Sequence, residues 1–142
     1  METHMIFETH AHYDDEAFDQ DREVLLDSME KHGVGYIVNA CASLESLKAT
    51  EELMRKYTFV YGAFGIHPDD ADKMTEETLK EIRRLCQLPK AVAIGEIGLD
   101  YYWHKEEQEH EIQKKMFRAQ MEIAREEKMP FMIHSREAAK DT

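Results

Sequence analysis

Little in this sequence cross-links or bends the chain. Cysteine occurs only at Cys41 and Cys86 among 142 residues. Two thiols cannot build a disulfide scaffold and do not stand at a zinc-knuckle spacing, so they read as buried free thiols in a reducing cytoplasm. Six glycines and three prolines, against 42% apolar residues, exclude a collagen-like chain, a low-complexity linker and a disordered tail. No stretch approaches the roughly 18 apolar residues of a membrane span, and no membrane contact is expected. The opening Met1-Glu2-Thr3-His4 is neither basic nor apolar enough for a secretory signal, and His4 reads as part of an upstream extension. Positive charge is scarce too. Lys and Arg number 18 against 30 Asp and Glu, for a net charge of −12. A groove that holds DNA by its phosphates usually needs an excess of basic side chains. Phosphate chemistry in this chain would therefore draw its positive charge from bound metal ions. Eight histidines make that worth pursuing.

Short apolar runs alternate with longer amphipathic ones. Met5-Ile6-Phe7 opens a strand that ends near Thr9-His10. A helix is expected from about Phe18 to His32, with Phe18, Leu25 and Met29 on one face, stopped by Gly33 and Gly35. Tyr36 to Ala40 is rich in β-formers. Ser43 is a plausible N-cap for a helix to about Lys56, with Leu44, Leu47 and Met54 in phase. Phe59 to Ile66 reads as a third strand, and Thr75 caps a third helix to about Gln87. A fourth strand begins at Ala91-Val92-Ala93-Ile94. A fourth helix spans about Glu106 to Lys128, with Ile112, Met116, Ala119 and Ile123 at helical spacing, and Pro130 to Ile133 is the fifth strand. Continuous apolar strands alternating with helices, without hairpin signals, predict one parallel α/β unit over residues 1–142. The strand ends at His10, Ala40, His67, Glu96 and His134 are 30, 27, 29 and 38 residues apart. An eightfold barrel needs about 31 residues per unit, so this length holds about 4.6 units. A small doubly wound sheet of five strands fits the count equally well.

Ligands in parallel α/β folds bind at the carboxyl ends of strands. Four of the five ends here carry His or Glu. In His10-Ala11-His12 the period of an extended chain sends both imidazoles to one face, where they can share a metal ion. Glu96 lies among apolar neighbours in Ala93-Ile94-Gly95-Glu96-Ile97-Gly98-Leu99-Asp100, where a carboxylate is costly unless paired or bound to a cation. Metal ligation competes there with a buried ion pair to Arg or Lys. The two flanking glycines let the backbone approach a ligand closely. His134 ends its strand as a ligand or as a hydrogen-bonded rim histidine. His67, in Gly65-Ile66-His67-Pro68, suits a metal or a substrate oxygen. His32, His104 and His110 read as solvated.

The blocks Phe7 to His12, Gly65 to Pro68, Ala93 to Tyr102 and Ile133 to Ala138, with Gln113, Phe117 and Gln120 on the fourth helix, resemble the signatures of the TatD-type metal-dependent hydrolases. They occur in the family's order and at its spacings. The resemblance implies an α/β TIM barrel, of which five parallel strands and four complete helices fall in this chain. It further implies two divalent metal ions (Mg, Zn or Mn), with His10 and His12 on one, His134 on the second and Glu96 bridging both as the central catalytic group. His67 would contact the substrate phosphate, and deoxyribonuclease activity on DNA or another phosphodiester is the expected function. Glu8 replaces the Asp usual before Thr-His, which is expected to perturb support of the site more than ligation.

The family pattern continues with a metal-binding His after the sixth strand and an Asp after the eighth, placed to hold the nucleophilic water. Neither falls within these 142 residues, which look like the N-terminal five-eighths of a family member. An incomplete barrel of this kind is expected to pair as a homo-oligomer or with a complementing C-terminal fragment, and to be inactive or weak alone. Two other readings remain open at this stage. One is an amidohydrolase-like enzyme acting on small esters, lactones or amides; the other is a non-catalytic half-barrel that assembles with a partner. Tyr101, Tyr102 and Trp103, just past Glu96, offer either base-stacking surface or ordinary loop packing.

Overall fold

A computed structural model describes residues 5–142, so the reading of Met1 to His4 falls outside the described residues. Five strands pair in parallel in the order β1-β2-β3-β4-β5: Ile6–Ala11, Val34–Ala40, Val60–Ala63, Ala91–Asp100 and Phe131–Arg136. Four α-helices, α1 to α4, fall between them: Arg22–Ser28, Leu44–Lys56, Glu76–Leu85 and Glu107–Glu127. The result is an incomplete parallel barrel. β1 and β5 each pair on one side only among the described residues.

The helix starts follow their caps. Ser43 accepts from the Ser46 amide while the Ser46 hydroxyl accepts from the Ser43 amide, and Thr75 and Thr78 repeat the exchange at α3. Each exchange satisfies amide donors that the first helical turn leaves free. α1 is shorter than the expected Phe18–His32 helix and is flanked by 3-10 turns at Glu16–Phe18 and Glu30–His32. Arg22 explains the difference. Its guanidinium donates to the carbonyls of Tyr13, Asp14 and Asp15 at 2.5, 3.2 and 2.8 Å, which holds the preceding segment as a loop. Leu26 and Met29, rather than Phe18 and Leu25, become the buried residues of this region.

α4 also corrects the hydropathy reading. Its buried residues are Gln113, Phe117, Gln120, Ile123 and Ala124, whereas Ile112 is exposed. The helix is rotated toward its glutamines because strand ends need their amides. Gln120 accepts from the Ile66 amide at 2.7 Å and donates to the Ile66 carbonyl at 3.1 Å; Gln113 does the same for Asp100 at 2.9 and 3.0 Å. A buried backbone without a ladder partner must find another, and these side chains supply it.

The outer sheet face and the helices enclose the main core, including Leu26, Ile37, Leu47, Ile82, Ile94 and Ile123. Small residues, Val38, Ala40, Ala63 and Ala93, form the inner face with Tyr61 and Met132 against them. Phe7, Tyr36 and Tyr61 continue that face as an aromatic row, with centroids 5.7 and 6.1 Å apart. Phe7 and Tyr36 remain 56% and 46% exposed, since nothing described here closes the barrel over them.

Candidate metal centre

The predicted residues converge at the carboxyl end of the sheet, though not all at strand ends. His10 is on β1 and His12 just beyond it, Glu96 is in the middle of β4, and His134 is on β5. β3 stops at Ala63, not at Ile66, and His67 stands four residues on, at the N-cap of a 3-10 segment over Pro68–Lys73. The exit of β2 fixes two of these positions. The Cys41 carbonyl accepts from the Glu96 amide and the Ala42 carbonyl from the His67 amide, both at 2.8 Å.

Glu96 is the junction. Its Oε2 lies 3.1 Å from His10 Nε2 and 3.3 Å from His12 Nε2, and its Oε1 lies 3.1 Å from His134 Nδ1. Two ligand-competent groups result, His10–His12–Glu96 and His67–Glu96–His134, and the carboxylate belongs to both. Every polar partner of this buried carboxylate side chain among the described residues is a histidine, so the Arg or Lys ion pair is not what is found. Burial opposes its ionised form, but hydrogen bonds from His12 and His10 and the charge of His10 and His67 outweigh it and hold its pKa near about 2. The hydrogen bond to Glu96 raises His12 above the usual imidazole value despite the opposing effect of burial.

The imidazoles are oriented from behind. His12 Nδ1 is 2.7 Å from the Ala40 carbonyl, an acceptor only, so Nδ1 donates and leaves Nε2 facing Glu96. His134 Nε2 is 2.9 Å from Asp100 Oδ2, leaving Nδ1 toward Glu96. Such outer hydrogen bonds fix which imidazole nitrogen is free to ligate a metal. Donor type and orientation therefore suit divalent cations: imidazole nitrogens and an ionised carboxylate around a shared point. His67 differs. Its Nδ1 accepts from the Asp69 amide at 3.2 Å, and burial together with neighbouring His134 lowers its pKa.

Asp100, inside the Glu96 block, joins the cluster through His134 although the sequence did not single it out. Burial disfavours its charge, but the bonds from His134 and from the Tyr102 and Trp103 amides dominate and lower its pKa. Its signal was an acid at the end of an apolar strand. The glycines near Glu96 have another use than the one expected. A Cβ on Gly95 would lie 2.6 Å from Met132 Cβ, and one on Gly98, at φ +150°, only 1.9 Å from the His134 carbonyl oxygen. Both make room for β5 rather than for a ligand. Glu8 accepts from the His10 amide at 3.0 Å, behind the centre.

Among the remaining histidines, His32 is exposed as expected. His104 and His110 are not simply solvated. His104 bridges Glu109 and Asp69 at 3.1 and 3.2 Å, and His110 stacks on Tyr101 with centroids 3.6 Å apart. Both cysteines are free and buried, and burial pushes the Cys41 thiol to about 12 and the Cys86 thiol to about 11. The centre opens into a cleft of about 1000 Å³ bordered by Asp14, Asp15, Glu16, Glu45 and Asp69. No helix among the described residues is long and apolar enough to cross a membrane.

The uncharacterized metal-dependent hydrolase YabD of Bacillus subtilis is 41% identical over 137 residues, covering 96% of this chain and 53% of that protein. The 3'-5' ssDNA/RNA exonuclease TatD of Erwinia billingiae is 33% identical over 122 residues, covering 85% of this chain and 46% of its own length. The crystal structure of the TatD homologue YjjV from Escherichia coli superposes with a TM-score of 0.86 at 28% identity, over 97% of this chain and 53% of that one. The chain thus spans about half the length of the relatives it matches. With the TatD related DNase family matching residues 7–142, the chain belongs to that family of metal-dependent hydrolases.

Proposed function

We propose that this chain carries the first part of a two-metal centre that hydrolyses phosphodiester bonds in nucleic acid, DNA in particular. The observation that carries the proposal is Glu96, whose two oxygens face two different sets of imidazoles. In this reading His10, His12 and Glu96 hold one divalent ion, and Glu96 and His134 hold the second, with Mg, Zn or Mn as the ions. Such a pair supplies Lewis acidity toward a phosphoryl group and a bound water of lowered pKa. Glu96 stays ionised and presents one oxygen to each set. Asp100 and the Ala40 carbonyl hold His134 and His12 in the ligating tautomers. His67 uses its Nδ1 lone pair on the Asp69 amide, so its Nε2 bears the proton and serves as a donor to a substrate oxygen. The exonuclease name of the Erwinia relative supports nucleic acid as the substrate class.

The proposal also covers assembly. The exposed inner aromatics and the one-sided edges of β1 and β5 call for further βα units, from a complementing C-terminal segment or a second copy. The complementing segment, unlike a second copy, would add the His and Asp that the family pattern places later. A cytoplasmic setting, which keeps Cys41 and Cys86 reduced, belongs to the same reading.

The test is hydrolysis by metal-stripped protein with Mg, Mn or Zn added back, alone and with the complementing segment. Substrates are single-stranded DNA, small phosphodiesters, esters, lactones and amides. The expected result is phosphodiester cleavage that is weak from the chain alone, strong on complementation and abolished by Glu96→Gln. Metal-dependent turnover of amides or lactones without phosphodiester cleavage would overturn the proposal.

A further inference from the structure

A second chain of polar groups runs from the start of α4 to His67. Glu109, in the first turn of α4, accepts from the Glu106 amide through Oε2 at 3.1 Å and meets His104 Nδ1 through Oε1, also at 3.1 Å. His104 Nε2 in turn lies 3.2 Å from Asp69 Oδ1. Asp69 belongs to the 3-10 segment that His67 caps, and its Oδ2 is 3.4 Å from His67 Nδ1. The His104 carbonyl accepts from His110 Nε2 at 2.8 Å, so the backbone of this loop is held as well.

Two residues of this chain decide where protons sit. Both ring nitrogens of His104 face carboxylate oxygens, which only accept when ionised. Both contacts are therefore hydrogen bonds only when the ring carries two protons. The bond to Glu109 raises the His104 pKa against the pull of burial, and the bond to Asp69 adds to it. Asp72 and Lys73 line the same hollow, and Lys105 is the next residue; Lys73 is engaged by Asp70 and Lys105 by Glu137. Asp69 is the second residue. It offers His67 Nδ1 a donor, its amide at 3.2 Å, and an acceptor, Oδ2 at 3.4 Å. The amide keeps the His67 proton on Nε2, whereas the carboxylate would draw it to Nδ1. An uncompensated carboxylate favours the second arrangement, and one that shares its charge with an imidazolium favours the first.

We propose that His104 is a positioning residue for His67, an imidazolium braced between Glu109 and Asp69 that balances the Asp69 carboxylate. His67 Nδ1 then keeps the Asp69 amide, and Nε2 keeps the proton it offers to a substrate oxygen. The inference rests on the reading of His67 given above and adds what sets its tautomer. It also adds a pH dependence. The brace is complete while His104 is protonated and is lost as pH rises through its folded value, above the ordinary 6.5.

Nitrogen NMR of isotope-labelled histidine side chains, with divalent ions chelated, reads these protons directly. At neutral pH His104 is expected with both nitrogens protonated and His67 with its proton on Nε2. His104→Ala should shift the His67 proton toward Nδ1. Asp69→Asn, which removes the charge but keeps the amide, should reverse that shift in the same chain. With the complementing segment and Mg²⁺ or Mn²⁺, His104→Ala should lower kcat for methyl p-nitrophenyl phosphate about 100-fold, with KM little changed. His104→Arg keeps a cation between the two carboxylates at every working pH. It should retain turnover and lose the alkaline decline that the unsubstituted protein shows. These proton positions without any turnover would leave the brace standing and remove the hydrolase reading. A singly protonated His104 at neutral pH would overturn the brace. So would a His67 proton that stays on Nε2 in His104→Ala, or an equal loss of turnover in His104→Arg and His104→Ala.

Discussion

His134 Nε2 and Asp100 Oδ2 lie 2.9 Å apart, and this contact decides which nitrogen of His134 faces Glu96. Removing an outer hydrogen bond of this kind costs about 10- to 100-fold in metal affinity. Asp100→Ala should therefore weaken Zn²⁺ binding by about that factor in a calorimetric titration, while His10 and His12 remain in place. An unchanged affinity would show that Asp100 does not orient the ligand.

The two buried glutamines are expected to matter for stability rather than for ligation. Gln120→Leu strands the amide and carbonyl of Ile66, and Gln113→Leu those of Asp100. Each buried backbone group left without a partner costs about 1–3 kcal/mol. Urea unfolding should show losses of that order for both variants. A midpoint equal to that of the unsubstituted chain would mean that water or a neighbour replaces the amide.

The metal-free protein should be most stable in mildly acidic solution. Glu96 is held at about 2, below its ordinary 4.5, so its contribution is complete above 4.5 and is lost as pH falls toward 2. His12 is raised above 6.5, so its contribution is complete below 6.5 and is lost as pH rises through its folded value. Thermal unfolding in chelator should peak between about pH 4.5 and 6.5, and Glu96→Gln should flatten both flanks. Stability that climbs steadily from pH 6 to 9 would contradict the Glu96–His12 pairing.

Association follows from the open face. Phe7 and Tyr36 stay about half exposed, and Ile133 and Phe131 on β5 are 43% and 44% exposed. Burying one such side chain fully is worth about 1.5–3 kcal/mol. Light scattering of these 142 residues is expected to give a dimer or larger species, and a 1:1 complex with the complementing segment. A compact species at the 16.7 kDa of one chain would contradict this.

Much of the architecture was legible because two periods dominate the sequence. Apolar runs marked the strands, and Ser43 and Thr75 marked the helix starts. The placement of His and Glu at the ends of apolar runs pointed to the centre, although β1 and β5, expected to be buried, are largely exposed. What hydropathy could not show is how polar groups pair in space. It put Ile112 on the inner face of α4, where Gln113 actually turns to serve the Asp100 backbone. It extended the first helix back to Phe18, blind to the Arg22 contacts that hold a loop there. It assigned Gly95 and Gly98 to a ligand, when the nearer demand is the approach of β5. Asp100 was hidden for the same reason: its partner His134 is distant in sequence and adjacent only after β4 and β5 pair.

The central claim, that Glu96 joins two cation sites, is tested most directly by anomalous diffraction from crystals equilibrated with Zn²⁺. The account predicts two peaks sharing the Glu96 carboxylate, one beside His10 and His12 and the other beside His134. Zinc bound elsewhere, or a Glu96 side chain turned away from every bound ion, would contradict it.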